Sequence, residues 1–460
     1  MKKNFVALAL LPLLATSVAH AEINLIATGK INASYQDMST RTAAALENGT
    51  AGNILGGLGS GLAYAGGNTF LALPDRGPNA VEYNAAIDNT TSYINRFQTL
   101  SLALAANPDY DAADVSSMPY ILSPFLVGTT LLSSKAPLSY GVNAAPALNT
   151  TEKFYFSGRS DNFDASKNSL HRFNGRLDPE GIRVSADGKY VFISDEYGPY
   201  VYKFNRATGV RTGVYKLPKH FAVANVRAFE ADADGEIAAN TSGRTANKGM
   251  EGLAITPDGK TLVGIVQANL IQDTKKYIRI VKIDTETGAT HEYAYLLTDG
   301  SGASEILAIN NHEFLVLERS GKGLGDDSAA DVKKLFKIDL ANAVDVSGIE
   351  KLDATSPVVA KTLFLDIVAE LSAAGFNVND IPAKMEAIAF GADLTVNGVT
   401  KHTLYLANDN DFLPTLTDTL HPEGVANPNQ FFVFSIDSSD MPNYVPQVIA
   451  PNPADTRDHG

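Results

Sequence analysis

The chain contains neither cysteine nor tryptophan among its 460 residues, and its acidic side chains outnumber its basic ones by 51 to 37. Without cysteine the fold has no disulfides, so a protein of this size must rely on its hydrophobic core for stability. The formal net charge of −14 argues against nucleic acid as a partner, because nucleic-acid binding depends on Lys and Arg neutralising phosphates. An anionic substrate would need local arginines or a bound cation to overcome the same repulsion.

Three common catalytic signatures are also absent from the sequence. It has no G-x-S-x-G nucleophile elbow, no H-E-x-x-H zinc motif and no G-x-x-x-x-G-K-[ST] phosphate loop. Four histidines, His171, His220, His402 and His421, lie near strands or turns, but none has a nucleophile beside it in the sequence. They are weak candidates for a general base, and a structural or surface role is the better interpretation of each.

The first 21 residues have the pattern of a secretory signal peptide. Lys2 and Lys3 precede the apolar run Phe5 to Leu14, and Ala19-His20-Ala21 forms an A-x-A cleavage site. A transmembrane helix needs about 20 apolar residues, and neither this run nor any later one is long enough. We therefore predict cleavage after Ala21, a mature chain without a membrane span, and a periplasmic or secreted location.

Five stretches of the chain repeat one pattern of two strands joined by a short polar turn. An acidic residue precedes the first strand in four copies, Ser60 replaces it in the earliest copy, and polar or acidic residues follow the second strand. A tight turn, such as the one at Asp187-Gly188, brings both of these positions to the same end of a hairpin. The copies are SGLAYAGGNTFLALPDR (60–76), LDPEGIRVSADGKYVFISDEYG (177–198), MEGLAITPDGKTLVGIVQ (250–267), SEILAINNHEFLVLER (304–319) and MEAIAFGADLTVNGVTKHTLYLANDND (385–411).

The repeats predict an all-β protein, a β-propeller of four-stranded blades. Each repeat continues into a third strand, as in VYKFNRATG or FFVFSID, and a fourth strand follows several of them. The long gap between residues 60 and 180 has room for a degenerate blade, so we predict six blades, with five and seven as alternatives. The segment Ile23 to Tyr35 is expected to complete the last blade and so remove exposed sheet edges.

Three boundaries follow from this organisation. The propeller occupies residues 22–440, after the signal peptide of residues 1–21. Residues 105–150, rich in Ala, Asn, Ser and Pro, form an irregular insertion outside the blade sheets. Residues 441–460 form an extended C-terminal tail.

The repeated acidic residues predict a divalent-cation site at one mouth of the central channel. If the first strand of each blade lines the channel, the glutamates converge beside the acids that end the second strands, and like charges so crowded need a compensating cation. Ca²⁺ binds six to eight oxygen ligands and suits such a ring. An alternative role for any single glutamate is to bind backbone amides of the next blade and close the ring. The predicted ligands are Glu180, Glu251, Glu305, Glu386, Asp75, Asp195 and Asp409.

Arg76, Arg319 and Glu196 are the predicted catalytic residues at the same mouth. Both arginines directly follow a strand-end acid, and a guanidinium matches the geometry of phosphate or carboxylate. The alternative is that each arginine pairs with the acidic residues at the mouth. An arginine paired in this way could still bind a substrate, so the two roles are compatible.

The motifs, taken together, resemble a known family. The bacterial phytase-like propeller family, described as having esterase-like activity of phytase, is similar to this chain over about residues 25 to 440. The resemblance implies an exported β-propeller, hydrolysis of phosphoesters or esters, and calcium dependence. It is carried by LPDRGPN (73–79), LDPEGIRVSADGKYVFISDEYGPYVYKFN (177–205), NKGMEGLAITPDG (247–259), VLERSG (316–321) and KMEAIAFGAD with YLANDND (384–411).

These observations favour an exported, metal-assisted hydrolase that acts as a monomer on a small anionic ester or phosphoester. Two other hypotheses remain open at this stage. One is a non-catalytic propeller that binds a ligand or a protein at the same mouth. The other is a lactonase-like or sugar-oxidising propeller, since one fold hosts many chemistries.

Overall fold

The computed structural model describes residues 23–80, 90–227 and 233–451. Strands dominate these ranges, and five antiparallel sheets of at least four strands each form the blades. The first strand, β1 (Ile23–Ile31), belongs to the last of these sheets. The predicted signal peptide and its cleavage site lie outside the described residues.

The strands follow one another blade by blade along the chain. Blade 1 contains β2 (Gly61–Tyr64), β3 (Thr69–Leu73), β4 (Arg96–Ala106) and β5 (Tyr120–Leu131). A two-stranded sheet follows, made of β6 (Ser133–Ser134) and β7 (Phe154–Tyr155). Blade 2 contains β8 (Pro179–Val184), β9 (Tyr190–Asp195), β10 (Tyr200–Asn205) and β11 (Arg211–Lys216).

The second half of the chain repeats this order. Blade 3 contains β12 (Met250–Ile255), β13 (Thr261–Val266), β14 (Tyr277–Asp284) and β15 (Thr290–Leu296). Blade 4 contains β16 (Gly302–Ala308), β17 (Glu313–Arg319), β18 (Lys333–Asp339) and β19 (Lys361–Asp366). Blade 5 contains β20 (Met385–Phe390), β21 (Leu394–Val396), β22 (Val399–Asn408) and, after the pair β23 (Thr415–Leu416) and β24 (Val425–Ala426), β25 (Asn429–Asp437).

Helices are few and short in the described ranges. They are α1 (Ala233–Ala238), α2 (Ile367–Ala373) and the 3₁₀ turns Thr40–Thr42 and Lys219–Phe221. Asp366 caps α2 by accepting a hydrogen bond from the amide of Ala369 at 3.2 Å.

The blades form a closed five-bladed β-propeller. The innermost strands β2, β8, β12, β16 and β20 lie side by side around one axis, and β20 contacts both β16 and β2. The blade count is thus five, one of the two alternatives to the expected six. The gap between residues 60 and 180 holds the long strands β4 and β5 and the β6–β7 pair instead of a further blade.

The N-terminal strand closes the ring, as the sequence predicts. Strand β1 pairs antiparallel with β25, from Ile23 opposite Ile436 to Ile31 opposite Asn429, and becomes the outer strand of blade 5. The sheet order β1-β25-β22-β20 therefore joins the two ends of the described chain in one blade.

The expectation that residues 105–150 lie outside the blade sheets is wrong for part of that segment. Strand β5 pairs with β4 from Arg96 opposite Leu131 to Ala106 opposite Tyr120 and forms the outer strand of blade 1. Its pattern escaped prediction because both of its faces are partly exposed, so it lacks a strict apolar alternation. Residues 107–119 form a loop beyond the sheet.

The core lies between the blades. Apolar side chains of each blade pack against those of the next, and Leu253 in blade 3 and Ile306 in blade 4 belong to one such layer. The segment before β2 approaches the end of β22 so closely that it requires a glycine, because an added Cβ at Gly59 would lie 2.2 Å from backbone atoms of Asn408.

This contact gives a stability prediction. We expect Gly59→Ala to lower the free energy of unfolding by about 3 kcal/mol, because the backbone between blades 1 and 5 must separate to admit the methyl group. Chemical denaturation followed by fluorescence measures the change. Gly348→Ala is the control, since nothing lies within 4 Å of the added Cβ there. Equal stabilities of the two variants would contradict the close approach.

The C-terminal tail crosses the end of the channel opposite the repeated glutamates. The amide of Val445 donates to the carbonyl of Ile309 at 2.9 Å, and the Gln447 side chain donates to the carbonyl of Val184 at 2.7 Å. Residues 441–451 contain no helix or strand. Tail residues 444–447 help to line a cavity of about 310 Å³ at this end of the channel.

Candidate metal centre at the channel mouth

β-Bulges in the inner strands direct glutamates into one mouth of the channel. In β12, Met250 pairs with Val266 and Gly252 with Ile265, so Glu251 is the extra residue. Glu386 has the same place in β20, between Met385 and Ala387, and Glu180 lies within the bulge of β8. Because a bulge locally redirects the strand, one side chain in each of these three blades is turned towards the mouth.

Blades 1 and 4 do not place a glutamate in this position. Ser60 precedes β2, and in β16 the bulge falls between Ala303 and Glu305, so Ser304 is the extra residue. Glu305 therefore lies one position further along the strand and faces elsewhere. Its carboxylate accepts from the amides of Leu253 and Ile306, both at 2.9 Å, and lies 2.9 Å from a guanidinium nitrogen of Arg183. Glu305 thus joins neighbouring blades, which is the alternative role that the sequence left open.

Five carboxyl groups of blades 1 to 3 form two overlapping triads that we call the acidic cluster. In each triad, one oxygen of every member lies within 4.8 Å of the others, and Glu180 belongs to both. All five residues are buried, with exposed fractions of 7% or less. The triads are Asp75, Asp178 and Glu180, and Glu180, Glu196 and Glu251.

Glu180 is the central member of the acidic cluster. It is 6% exposed, and its carboxylate has no hydrogen-bond or ion-pair partner in the part of the chain that the structure describes. Burial, reinforced by the nearby charge of Glu251, raises its pKa well above the ordinary range. A buried carboxylate without a partner carries a large desolvation cost, and a bound cation would remove that cost.

The other members of the acidic cluster have partners but keep oxygen atoms available. Asp178 accepts from the backbone amide and the guanidinium of Arg76, both at 3.0 Å. Asp75 accepts from the amide of Gly77 at 2.8 Å, and Glu196 from the amide of Gly249 at 2.9 Å. Such contacts hold each carboxylate in a fixed orientation.

Glu251 connects the acidic cluster to blade 5. Its carboxyl group accepts from the side-chain amide of Gln267 at 2.7 Å and hydrogen-bonds the Glu196 carboxyl group. Burial, with Glu386 nearby, raises the pKa of Glu251 to about 8 despite the opposing effect of Arg319. With a pKa of about 8, Glu251 is largely protonated at neutral pH.

Besides Arg76, two cations at the mouth lie in blades 4 and 5. Arg319 pairs with Glu386, and its Nε is buried without a partner among the described residues. Lys384 lies 3.1 Å from Asp409 and also pairs with Asp411. Burial opposes the charged form of Lys384, but these two carboxylates outweigh it and raise its pKa.

The structure brings most of the predicted site residues to one mouth but divides their roles. Asp75, Glu180, Glu196 and Glu251 meet in the acidic cluster. Glu386 and Asp409 also lie at the mouth, but each is paired with a cation. Arg76 binds the acidic cluster through Asp178, and Arg319 binds Glu386.

Two of the predicted cation ligands, Glu305 and Asp195, are not members of the acidic cluster. Glu305 pairs with Arg183, as described above. Asp195 is buried beside the acidic cluster, where it accepts from the amides of Asp178 at 3.2 Å and Tyr197 at 3.1 Å. Burial raises the pKa of Asp195 to about 7. Its contacts show that it positions the backbone that carries Asp178.

Two residues of the mouth were missed by the sequence reasoning, Asp178 and Lys384. Asp178 stands two residues before Glu180, in the quoted motif LDPEG, and Lys384 stands two residues before Glu386. The signal for both is their common position just ahead of the bulge, which the repeat does not reveal because only the glutamates recur.

The residues present fit a hard divalent cation. Ca²⁺ binds oxygen ligands at about 2.3–2.6 Å, so two ligands of one ion lie at most about 5 Å apart. The 4.8 Å limit within each triad meets this condition, all donors are carboxylate oxygens, and Glu180 lacks a partner. Because Glu180 belongs to both triads, it could bridge two ions.

The fold and the mouth define a class of protein, namely a five-bladed β-propeller with a carboxylate-lined channel mouth suited to a divalent cation. The chain belongs to the phytase-like family, described as esterase-like activity of phytase, whose family model matches residues 53–412. A curated relative, an uncharacterized secreted protein of Arthroderma benhamiae, is 28% identical over 320 residues. The match covers 58% of this chain and 60% of that protein.

The solved structures that align with this chain are only distantly similar to it. A putative 6-phosphogluconolactonase of Bacteroides fragilis aligns at 12% identity over 90% of this chain and 98% of its own, with a TM-score of 0.31. A periplasmic gluconolactonase of Pseudomonas aeruginosa aligns at 12% identity over 81% and 87%, with a TM-score of 0.29. Likenesses this weak support no inference about activity. Across the described ranges, no helix is long and apolar enough to cross a membrane.

Proposed function

We propose that the protein is an exported, metal-assisted hydrolase that cleaves small anionic phosphoesters or esters at this mouth. The observation that carries the proposal is the buried Glu180 carboxylate, which lies without a partner where two carboxylate triads meet. A cation bound there would compensate a charge that the described residues leave unbalanced.

The division of charge across the mouth suggests how a substrate lies. The acidic cluster in blades 1 to 3 would hold the cation, and Arg319 and Lys384 face it from blades 4 and 5. The buried Nε–H of Arg319 is available to donate to a phosphoryl or carboxylate oxygen of the substrate. An anionic group bound between the two sides would contact positive charge on both.

The roles of the chain's own residues follow from these positions. Asp75, Asp178 and Glu180 would hold one cation position, while Glu196 and Glu251 complete a second one around Glu180. A bound Ca²⁺ would polarise the phosphoryl or acyl oxygen and lower the pKa of a water molecule at the site. Arg319 orients the anionic group, and the walls of the narrow channel limit the access of bulk water.

Export is part of the proposal. The signal-peptide pattern of residues 1–21 supports a periplasmic or secreted location, and the curated relative is described as secreted. Calcium is abundant outside the cytoplasm, in keeping with a modest-affinity site. We further propose that the protein acts as a monomer.

The test is an assay of aryl phosphate, aryl ester and phytate hydrolysis with calcium or with chelator. We expect calcium-dependent hydrolysis of at least one anionic substrate, and a drop of about 100-fold in kcat/KM for Arg319→Met, as for loss of one charge-stabilising donor. Lys334→Met is the matched control, because Lys334 pairs with Asp299 on the surface of the same blade. Calcium binding without hydrolysis of any substrate would favour the non-catalytic, ligand-binding propeller instead.

A further inference from the structure

A second arrangement of reactive groups lies away from the mouth, in a cleft between blades 2 and 3. His220, in the 3₁₀ turn that follows blade 2, lines this cleft of about 570 Å³, and its side chain is 29% exposed. Its Nε2 lies 3.0 Å from Oε2 of Glu292, which is on β15 of blade 3 and is 1% exposed.

A buried network orients this histidine. Arg279 donates to the same oxygen of Glu292 at 2.9 Å and to both oxygens of Asp273, at 2.7 and 2.8 Å. Oε2 of Glu292 accepts from Arg279 and also accepts in its contact with His220, so Nε2 of His220 carries the proton. Nδ1 then holds the lone pair, and among the described residues it has no hydrogen-bond partner.

Asp273, Arg279 and Glu292 form the buried network behind His220, so an imidazolium formed during a reaction would lie against the Glu292 carboxyl group. The other charged residues facing the ring are Lys219 beside it and Glu350 on the cleft wall. A buried carboxylate that orients an imidazole and stabilises its protonated form is the arrangement of a general base in hydrolases.

Other histidines lack this combination. His291 and His312 bind Asp345 and Asp339 through Nδ1, at exposed positions on blade edges. His421 uses both ring nitrogens to bind Asp418 and Asp380. Within the described ranges, only His220 combines a fully buried carboxylate partner, an unpartnered second nitrogen and a cleft large enough for a ligand.

We infer that His220 is a general base for a second, metal-independent esterase activity, with Glu292 as its positioning residue. Nδ1 of His220 removes a proton from water while the water oxygen bonds to the carbonyl carbon of an ester. The bond to the leaving oxygen then breaks, and the proton passes from Nδ1 to the departing alkoxide, which gives a carboxylic acid and an alcohol.

The lining of the cleft selects the substrate class. Leu170, Val223 and Ile349 supply apolar surface, Ser242 and Gln272 supply polar groups, and Lys219 and Glu350 balance in charge. These features suit a small uncharged carboxylic ester, in contrast to the anionic substrate proposed for the mouth. The inference does not depend on the proposed function, because no cation takes part in it.

The experiment is hydrolysis of p-nitrophenyl acetate by the full-length mature protein in excess chelator. We expect turnover above buffer, and a loss of about 100-fold in kcat for His220→Gln, as for removal of a general base. His291→Gln is the control, since it removes an exposed histidine–carboxylate pair on β15 of blade 3. Added imidazole is expected to restore part of the activity of His220→Ala.

The role of Glu292 requires its own readout. Glu292→Gln keeps the size of the side chain, and we expect a lower kcat with KM unchanged and a pH–rate profile displaced to lower pH, since the imidazolium loses its carboxylate. A merely structural role would change the melting temperature without displacing the profile. Chelator-resistant hydrolysis that is absent, or equal in wild type and His220→Gln, would overturn the inference.

Discussion

Calcium is expected to raise the melting temperature of chelator-treated protein, and Glu180→Gln is expected to remove most of that rise. A ligand that binds only the folded state stabilises it by about 2.7 kcal/mol at a hundredfold excess over Kd. With about 2 cal/mol/K of unfolding entropy per residue, this free energy corresponds to a rise of about 3 °C for a chain of this length. The loss in the variant follows because Glu180 belongs to both carboxylate triads.

The same substitution distinguishes two roles for Glu180, namely binding a cation and closing the ring of blades. Without calcium, Glu180→Gln is expected to be as stable as wild type or more so, because it removes a buried carboxylate that has no partner among the described residues. If Glu180 instead closed the ring, the variant would lose stability under chelator. Differential scanning calorimetry with and without calcium measures both quantities.

Glu305→Gln is the matched control, since Glu305 is also a buried, repeated glutamate of an inner strand. It leaves Arg183 without its carboxylate partner, and breaking a buried ion pair costs about 3 kcal/mol. We therefore expect a lower melting temperature in chelator but an undiminished rise on adding calcium. A calcium response that is lost equally in both variants, or is absent in wild type, would contradict the assignment of the acidic cluster.

The blade architecture and the convergence of acids could be predicted because they follow from local patterns. Alternating apolar strands around a tight turn, such as Asp187-Gly188 between β8 and β9, define a hairpin whatever the surroundings. Repetition of that hairpin defines the propeller, and the leftover strand of residues 23–31 completes the last blade, whose path β20-β22-β25 otherwise has three strands. The acids flanking each hairpin then meet at one mouth.

Which glutamates belong to the acidic cluster depends on the register of each inner strand with its partner strand. The sequence pattern does not encode that register. In SEILAI the bulge falls on Ser304, whereas in MEGLAI it falls on Glu251, although the letters align with Glu305 opposite Glu251. A shift of one residue in register therefore exchanges a member of the acidic cluster for a member of an inter-blade ion pair. The buried partner Arg183 is far from Glu305 in sequence, so only the folded chain shows the exchange.

The blade count was uncertain for a related reason. The length of a gap does not reveal whether it holds an extra blade or longer strands, and β4 and β5 here contain 11 and 12 residues. Strand β5 is half exposed on both faces because it is the outer strand of its blade, so its hydrophobic pattern is weak. Outer strands of a propeller are therefore the hardest to recognise from periodicity.

The second prediction of large effect concerns pH. Chelator-treated protein is expected to lose stability as the pH rises from about 5 to about 8. Burial raises the pKa of Glu251 to about 8 in the folded protein, whereas an unfolded chain has an ordinary value near 4.5. At pH values between these two pKa values, the folded state holds a proton that the unfolded state has released. The free energy of unfolding therefore falls as the pH rises, by up to about 1.4 kcal/mol per pH unit for one such group. Asp195 and Glu305, whose pKa values are raised to about 7, add to the fall.

Calcium is expected to oppose this fall, because a bound cation favours the ionised form of the carboxylates around Glu180. The rise in melting temperature on adding calcium should therefore be larger at pH 8 than at pH 5.5, where the cation must displace protons. Melting curves at several pH values, with and without calcium, test both statements, and Glu251→Gln should flatten the curve measured in chelator. Stability in chelator that increases with pH up to 8 would show that these carboxyl groups are already ionised, and that the described cations alone compensate the acidic mouth.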